Sequence, residues 1–392
     1  MKVYGRVYEA VDLDAIDHNM SAMKANLRAG TEMIGVVKSD GYGHGSVPVA
    51  HAIDPYVMGY GVATAQEGVI LRRHGITKPI LVLGVVPNQD YNLLVDYELR
   101  SPVFQLKRAM DLSCVAQKAG KKAVIHLALD TGMSRIGFPV TEDAAEEALK
   151  ISALPGLIVE GLFTHFAKAD EKDKTATQLQ INKYESFIDM LSERGMHIPF
   201  LHCSNSAGIL DMKTANFQAV RAGISIYGIY PSSEVDRDTV KLEPVMELKS
   251  FISYIKRIPK GTSVSYGGTF TADREMTIAT IPVGYGDGYS RNLSGKGEVL
   301  IRGKRSKILG RVCMDQFMVD VTSIEGAAEE DEVVLVGKQG EEQITVEELT
   351  QLSGGFSYEF VCGIGKRVPR VYLKKGKVIA TKDYFDDCFK GF

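Results

Sequence analysis

The sequence predicts an α/β protein: a (β/α)8 TIM barrel followed by a mainly antiparallel β domain. Three observations carry this. Eight short, continuously apolar runs recur through the first 225 residues with helix-like stretches between most of them, as buried parallel strands alternate with crossover helices. Eight such units in that length match the barrel repeat, and the count favours it over an open doubly wound sheet. After Tyr230 the chain turns to strands and turns, and 392 residues exceed one ordinary core. The expected division is a barrel at 12–240, with 1–11 and 241–392 forming the β domain.

An opening helix is predicted over 14–29. The eight runs follow at 33–37, 60–64, 80–84, 100–104, 122–129, 157–164, 199–203 and 218–223. Helices are expected at 66–74, 105–119, 141–152 and 176–194, and Gly120 stops the second of these. PSSEVDRDTVKLEP (231–244) is polar and reads as a linker. Beyond it, RGKR and KKGK sit between apolar runs as hairpin turns should, and TVEELTQL (345–352) is the one predicted helix.

Composition narrows the function. The apolar fraction is 45%, the charged fraction 24% and the net charge −3, so nothing points to a nucleic-acid or anionic-membrane surface. Cys114, Cys203, Cys313, Cys362 and Cys388 are scattered without a CxxC pair. That argues against a metal site or disulfide framework and fits a reducing compartment. MKVYGRVYEAVDLD has no apolar segment of the signal-peptide kind, and no run approaches a membrane span, so a cytoplasmic protein is expected. All eight histidines lie between His18 and His202, so chemistry after about residue 240 must proceed without histidine.

In a barrel, function sits at the carboxyl ends of the strands. IGVVKSDGYGHG (34–45) puts Lys38 at the end of the first run and then enters turn chemistry. A strand-end lysine usually snorkels to water. Here it has company: Asp130 to Arg135 follow the fifth run, His165 the sixth, Asn205 and Ser206 the seventh, and Arg221, Gly223 and Ile224 close the eighth. The loops after strands seven and eight form the usual barrel phosphate site, where Ser206 offers a hydroxyl and Gly223 an approachable N–H. A buried amine beside a phosphate cradle points to a Schiff-base cofactor, pyridoxal 5'-phosphate.

IGVVKSDGYGHG closely resembles the lysine motif of the alanine racemase family, the barrel-type pyridoxal-phosphate racemases. DTGMSRIGF, EGLFTHFA, HCSNSAG, VRAGISIYG, VSYGGTF, VGYGDGY, GRVCMDQ and VPR resemble further family blocks, in family order, over nearly the whole chain. The resemblance implies that Lys38 holds the cofactor through its amine and serves as one base. Tyr42, Ser206, the backbone of Gly223 and Ile224, and Tyr358 would bind the phosphate. Leu83 and Asn205 would also contact the cofactor. Arg221 would face the pyridine nitrogen, and His165 would hold Arg221 or Tyr266. Tyr266 would be the second base, with Arg135 orienting it and binding the substrate carboxylate. Met314, Asp315 and Tyr285 would line the entry or touch that carboxylate. In the family pattern Tyr266, Tyr285 and Met314 come from the other subunit, which implies a homodimer with shared sites. The family's reaction, racemisation of L-alanine to D-alanine for peptidoglycan, becomes the expected function.

The chemistry agrees with the residue types. Removing the α-hydrogen from one face and returning a proton to the other calls for two bases. Lysine and tyrosine ordinarily titrate near about 10.4 and about 10, so both must be activated. An arginine at the ring nitrogen donates without releasing its proton and leaves the ring a weaker electron sink. The chain departs from the family at Ala128, where many members carry a lysine that can be carbamylated, and at Ser39, Gly41 and Ser134. These departures leave serine or broader racemisation as the alternative, and a non-catalytic cofactor-binding barrel as a remoter one. Tyr358 favours a small pocket and the alanine reading.

Overall fold

The computed structural model describes residues 4–383. Cys388 and the outermost residues assigned above to the β domain lie outside them. Contacts divide the chain into two units. The barrel unit comprises Ile16–Gly41 and Ser46–Glu243, and the β unit comprises the N-terminal residues to Ala15, Tyr42–Gly45, and the chain from Pro244 onward.

The barrel unit has eight strands: Glu32–Val36, Gly59–Val62, Ile80–Val82, Ser101–Val103, Ala123–Ala128, Leu157–Phe163, Phe200–His202 and Ala219–Ala222. All eight pair in parallel, and the first strand lies between the second and the eighth. The remaining gap, between strands three and four, is closed by Leu81 and Arg100. The N–H of Val82 reaches the Arg100 carbonyl at 2.9 Å, and the N–H of Arg100 reaches the Ile80 carbonyl at 2.8 Å. Each strand overlaps a predicted run, Glu32 and Gly59 starting one residue ahead of theirs, because strands buried on both faces leave apolar runs.

Helix starts follow side-chain caps. Thr64 accepts from the Glu67 N–H before Ala65–Arg73, and Thr141 accepts from the Ala144 N–H before Glu142–Ser152. Gly120, at φ +66°, ends the chain leaving Leu106–Lys118. The polar segment after Tyr230 is less free than a linker. Ser232 Oγ donates to the Asp170 carbonyl at 2.5 Å, and Glu243 N–H donates to Asn19 Oδ1 at 2.7 Å.

The β unit is mainly antiparallel. Among the described residues, its one parallel pair joins the N-terminal strand Val7–Asp12 to Arg370–Lys374, and the other edge of Val7–Asp12 pairs with Met246–Phe251. RGKR and KKGK are two-residue hairpins, with Arg302 and Gly303 at φ +50° and +72°, and Lys375 and Gly376 at +51° and +67°. Both central residues left-handed is the turn that matches strand twist. Thr345 caps the predicted helix, found at Val346–Ser353, and a further short helix, Ser357–Cys362, carries Tyr358.

Candidate active site

In the barrel unit, Lys38 ends the first strand and opens an unusual turn. Ser39, Asp40, Gly41, Tyr42 and Gly43 are all left-handed, with φ between +51° and +90°. L-residues resist this conformation, so outside bonds must hold it. The Gly41 N–H reaches back to the Val37 carbonyl at 2.9 Å. Asp40 Oδ1 accepts from both the N–H and the hydroxyl of Ser46. Glu67 accepts the N–H of Ser39 on one oxygen and that of Ala63 on the other, both at 2.7 Å.

Arg221, on the eighth strand, is 4% exposed. Its Nη1 donates to His202 Nδ1 at 2.9 Å and to the His202 carbonyl at 3.0 Å. Its Nη2 donates to the carbonyls of Thr164 and Cys203 at 2.7 and 2.8 Å, and faces His165 Nδ1 at 3.3 Å. Burial pulls its pKa down to about 10, which leaves it charged at neutral pH. His165 is pushed down to about 3, first by burial and then by the charges of Arg221, Arg135 and Lys38. The rim thus sets the positive charges of Arg221, Arg135 and Lys38 around a neutral imidazole.

Ser206, expected to offer a phosphate its hydroxyl, opens the helix after the seventh strand. Its Oγ accepts from the N–H of Gly223 at 3.1 Å and that of Ser225 at 3.4 Å. Asn205 caps the helix Ser206–Asp211, its side chain accepting from the Gly208 N–H. Ile224 is buried and opens a 3-10 turn. Leu83 follows the third strand, its N–H on the Val62 carbonyl at 2.7 Å. Arg135 is exposed, beyond a loop shaped by Asp130 Oδ1, which accepts from the N–H groups of Gly132 and Ser134.

The β unit gathers a second set. Tyr42 is buried, with its ring centroid 6.2 Å from that of Tyr358, and burial raises its hydroxyl pKa well above the ordinary tyrosine range. Tyr266 is 71% exposed on a turn between Ser265, at φ +66°, and Gly267, at φ +74°. Ser265 Oγ donates to the Arg311 carbonyl at 2.6 Å, which fixes that turn against the segment carrying Met314 and Asp315. The N–H groups of Tyr285 and Gly286 bond the carbonyls of Cys313 and Met314. Arg367 spans Asp287 and Asp315 at 2.8 and 2.7 Å. Tyr266, Tyr285, Met314 and Asp315 are thus brought onto connected loops of one unit. His44 also falls in this unit, so the β unit has a histidine that the chain beyond residue 240 lacks.

Several organising residues escaped the sequence reading. Glu67 stands three after Thr64 in TAQE, a pattern that signals a helix start but not the bond to Ser39. Gln180 donates to Thr131 Oγ1 and the His165 carbonyl while accepting the Ala167 N–H. Behind Arg221, the buried His202 and His126 form a chain that ends on the half-buried Glu160.

A closed parallel barrel with lysine, arginine, histidine and serine at the carboxyl ends of its strands has the layout of a barrel enzyme. Comparison with known proteins narrows the class. Residues 11–231 match the alanine racemase N-terminal domain, and residues 245–372 match the alanine racemase C-terminal domain. The alanine racemase of Clostridium novyi is 43% identical over 380 residues, which is 96% of this chain and 98% of the relative. The solved alanine racemase of Clostridium difficile 630 superposes with a TM-score of 0.94 at 38% identity, covering 98% of this chain and 100% of that one. The Bacillus anthracis alanine racemase solved with bound L-Ala-P gives 0.93 at 37% identity, over 99% and 100%. The chain belongs to the alanine racemase family and is a racemase. Among the described residues, no helix is long and apolar enough to cross a membrane.

Proposed function

We propose that this chain is a pyridoxal-phosphate-dependent racemase that interconverts L- and D-alanine in the cytoplasm and supplies D-alanine for peptidoglycan. The observation that carries it is Arg221: a buried guanidinium at the barrel rim, bonded to carbonyls and imidazoles and to no carboxylate directly. Its Nε has no protein acceptor among the described residues, so one fixed donor remains for a ligand. That suits an unprotonated pyridine nitrogen.

The rest of the rim fits the same group. The Ser206 hydroxyl, held by the N–H groups of Gly223 and Ser225, supplies an uncharged phosphate donor beside the backbone of Gly223 and Ile224, and Lys38 supplies the amine. Bound there, pyridoxal phosphate acidifies the α-hydrogen of an amino acid by accepting electron density. Lys38 takes or returns the proton on one face. Tyr266 of the partner subunit does so on the other, in a homodimer with shared sites. The high exposure of Tyr266, with Tyr285 at 43% and Met314 at 53%, supports their projecting toward another chain. Arg135 binds the substrate carboxylate, and Met314, Asp315 and Tyr285 line the entry or contact that carboxylate. His165, neutral and against Arg221, keeps the guanidinium aimed. Tyr42, Tyr358, Leu83, Asn205 and Ile224 complete cofactor binding on the family pattern alone.

The test is interconversion of D- and L-alanine, serine and lysine by the purified protein, with borohydride reduction and peptide mapping. The reading expects alanine to be turned over fastest and a reduced adduct at Lys38. A protein that racemises alanine with Lys38 unlabelled, or labels Lys38 but prefers serine, overturns the cofactor or the substrate assignment respectively.

A further inference from the structure

Arg221 is a buried cation whose direct partners are all neutral, and such a charge needs an anion within reach. The barrel supplies one through two imidazoles. Arg221 Nη1 meets His202 Nδ1 at 2.9 Å, His202 Nε2 meets His126 Nδ1 at 2.9 Å, and His126 Nε2 meets Glu160 Oε2 at 2.9 Å. A guanidinium can only donate, so His202 Nδ1 accepts and its proton sits on Nε2. That N–H donates to His126 Nδ1, which puts the His126 proton on Nε2, facing the carboxylate. Every bond then points the same way, from cation to anion.

The surroundings are built for this arrangement. Glu160 is the residue skipped where the ladder of strands five and six shifts register: Ile125 pairs with Val159, and the next pair is His126 with Gly161. Such a bulge re-aims one side chain. A Cβ at Gly161 would stand 2.5 Å from His126 Nδ1, so only glycine leaves room for the ring. Phe163 stacks on His202 at 5.2 Å and lies under the Arg221 guanidinium at 5.7 Å. Burial holds both histidines below their ordinary pKa, and the bond from His126 holds Glu160 at about 2. Arg100, which closes the barrel, bonds both oxygens of Glu160 at 3.2 and 3.3 Å and keeps it in place.

We propose that Glu160 is the counter-ion of Arg221 and a positioning residue for racemisation, its charge relayed through His126 and His202. The catalytic part rests on Arg221 facing the cofactor, and the relay itself does not. The test uses the holoenzyme with 15N-labelled histidine, its signals assigned with His126→Asn and His202→Asn. Both imidazoles should carry one proton, on Nε2, from about pH 6 to about pH 9. Glu160→Gln keeps an acceptor but loses the charge. It should lower kcat about fivefold, the order expected for one charge acting across three hydrogen bonds at an effective dielectric of about 20. The KM for the amino acid should stay within about twofold, since the effect is on turnover, and Glu160→Asp should recover much of the loss. A doubly protonated or Nδ1-protonated His126 or His202 in the parent protein overturns the relay even if Glu160→Gln does not fold. Parental kcat in Glu160→Gln, or a change in KM alone, overturns the positioning role. The stated proton pattern in a protein that traps no adduct at Lys38 leaves the counter-ion standing and overturns the cofactor reading instead.

Discussion

Glu67 accepts the backbone N–H of Ser39 at 2.7 Å, so a carboxylate from beyond the second strand grips the residue that follows Lys38. Its other oxygen holds Ala63, and the pair ties two rim loops together. Charge-assisted bonds are worth about 1.5–3 kcal/mol each, less where water can replace them. Ser39 is exposed, so Glu67→Ala should cost about 2 kcal/mol in urea unfolding. It should also slow racemisation more than it raises KM, because the lysine loses its aim. Glu67→Gln, which can accept only one of the two N–H groups, should fall between. Parental stability and rate in Glu67→Ala would show that the turn holds itself.

The left-handed turn makes unequal demands on its glycines. Gly41 has φ +63°, and an added Cβ would stand 3.1 Å from the Ser46 nitrogen. Gly43 has φ +90°, and there a Cβ would stand 2.1 Å from the Val361 carbonyl oxygen. Gly41→Ala should therefore cost the left-handed penalty, about 1–2 kcal/mol, and a small shift of the Ser46 backbone. Gly43→Ala must also displace backbone, and should cost about 3 kcal/mol or more. Urea midpoints of the two variants check the order, and equal values would contradict the contact at Val361.

The fold was legible because strands buried on both faces leave continuous apolar runs, and all eight runs mark barrel strands. The rim residues were legible because polar groups at strand ends break those runs. What the sequence hid depends on register. Glu160 sits in EGLFTHFA as an ordinary strand glutamate, and only the bulge opposite Ile125 and His126 turns it toward His126. Glu67 showed only as part of the predicted helix 66–74, because its bond to Ser39 spans 28 positions. The short helix under Tyr358 was missed because six residues carry too little periodicity. The tie of Val7–Asp12 to Arg370–Lys374 joins opposite ends of the chain, which no local pattern reveals.

Two buried imidazoles, His126 and His202, and the half-buried His165 make the folded state acid-sensitive above the carboxylate range. Burial lowers the pKa of His126, His165 and His202, that of His165 to about 3. An unfolded histidine takes its proton near about 6.5, so below that pH the unfolded chain binds protons that the folded chain refuses. The stability is present above about pH 6.5 and drains as pH falls toward 3, by up to about 1.4 kcal/mol per pH unit for each ring. Glu160 acts in the same sense at lower pH. Held at about 2, its contribution is present above the usual carboxylate pKa and lost as pH falls through about 2. Unfolding free energies should drop steeply from about pH 6.5 to about pH 5, and His165→Asn should flatten the slope by up to one proton. A flat profile over that interval would mean that the rings are protonated in the folded protein.

The proposed sharing of sites between chains has a signature that one chain alone cannot produce. Lys38→Ala removes the barrel's base, and Tyr266→Phe removes the base expected from the partner. Each loss of a general acid–base should cost about 10²–10⁴ in rate. If Tyr266 serves the other subunit, a heterodimer of the two variants has one site lacking both bases and one site lacking neither. Unfolding and refolding an equal mixture makes about half of the dimers heterodimeric, so about a quarter of the sites are restored, with activity in proportion. If Tyr266 serves its own chain, every site in the mixture lacks a base and the rate stays at the level of the separate variants. Racemase assays of the mixture before and after refolding decide it, with the unrefolded mixture as the baseline. Recovery near a quarter places Tyr266 on the partner subunit, and no recovery from a mixture that refolds to dimers removes the shared site from the mechanism.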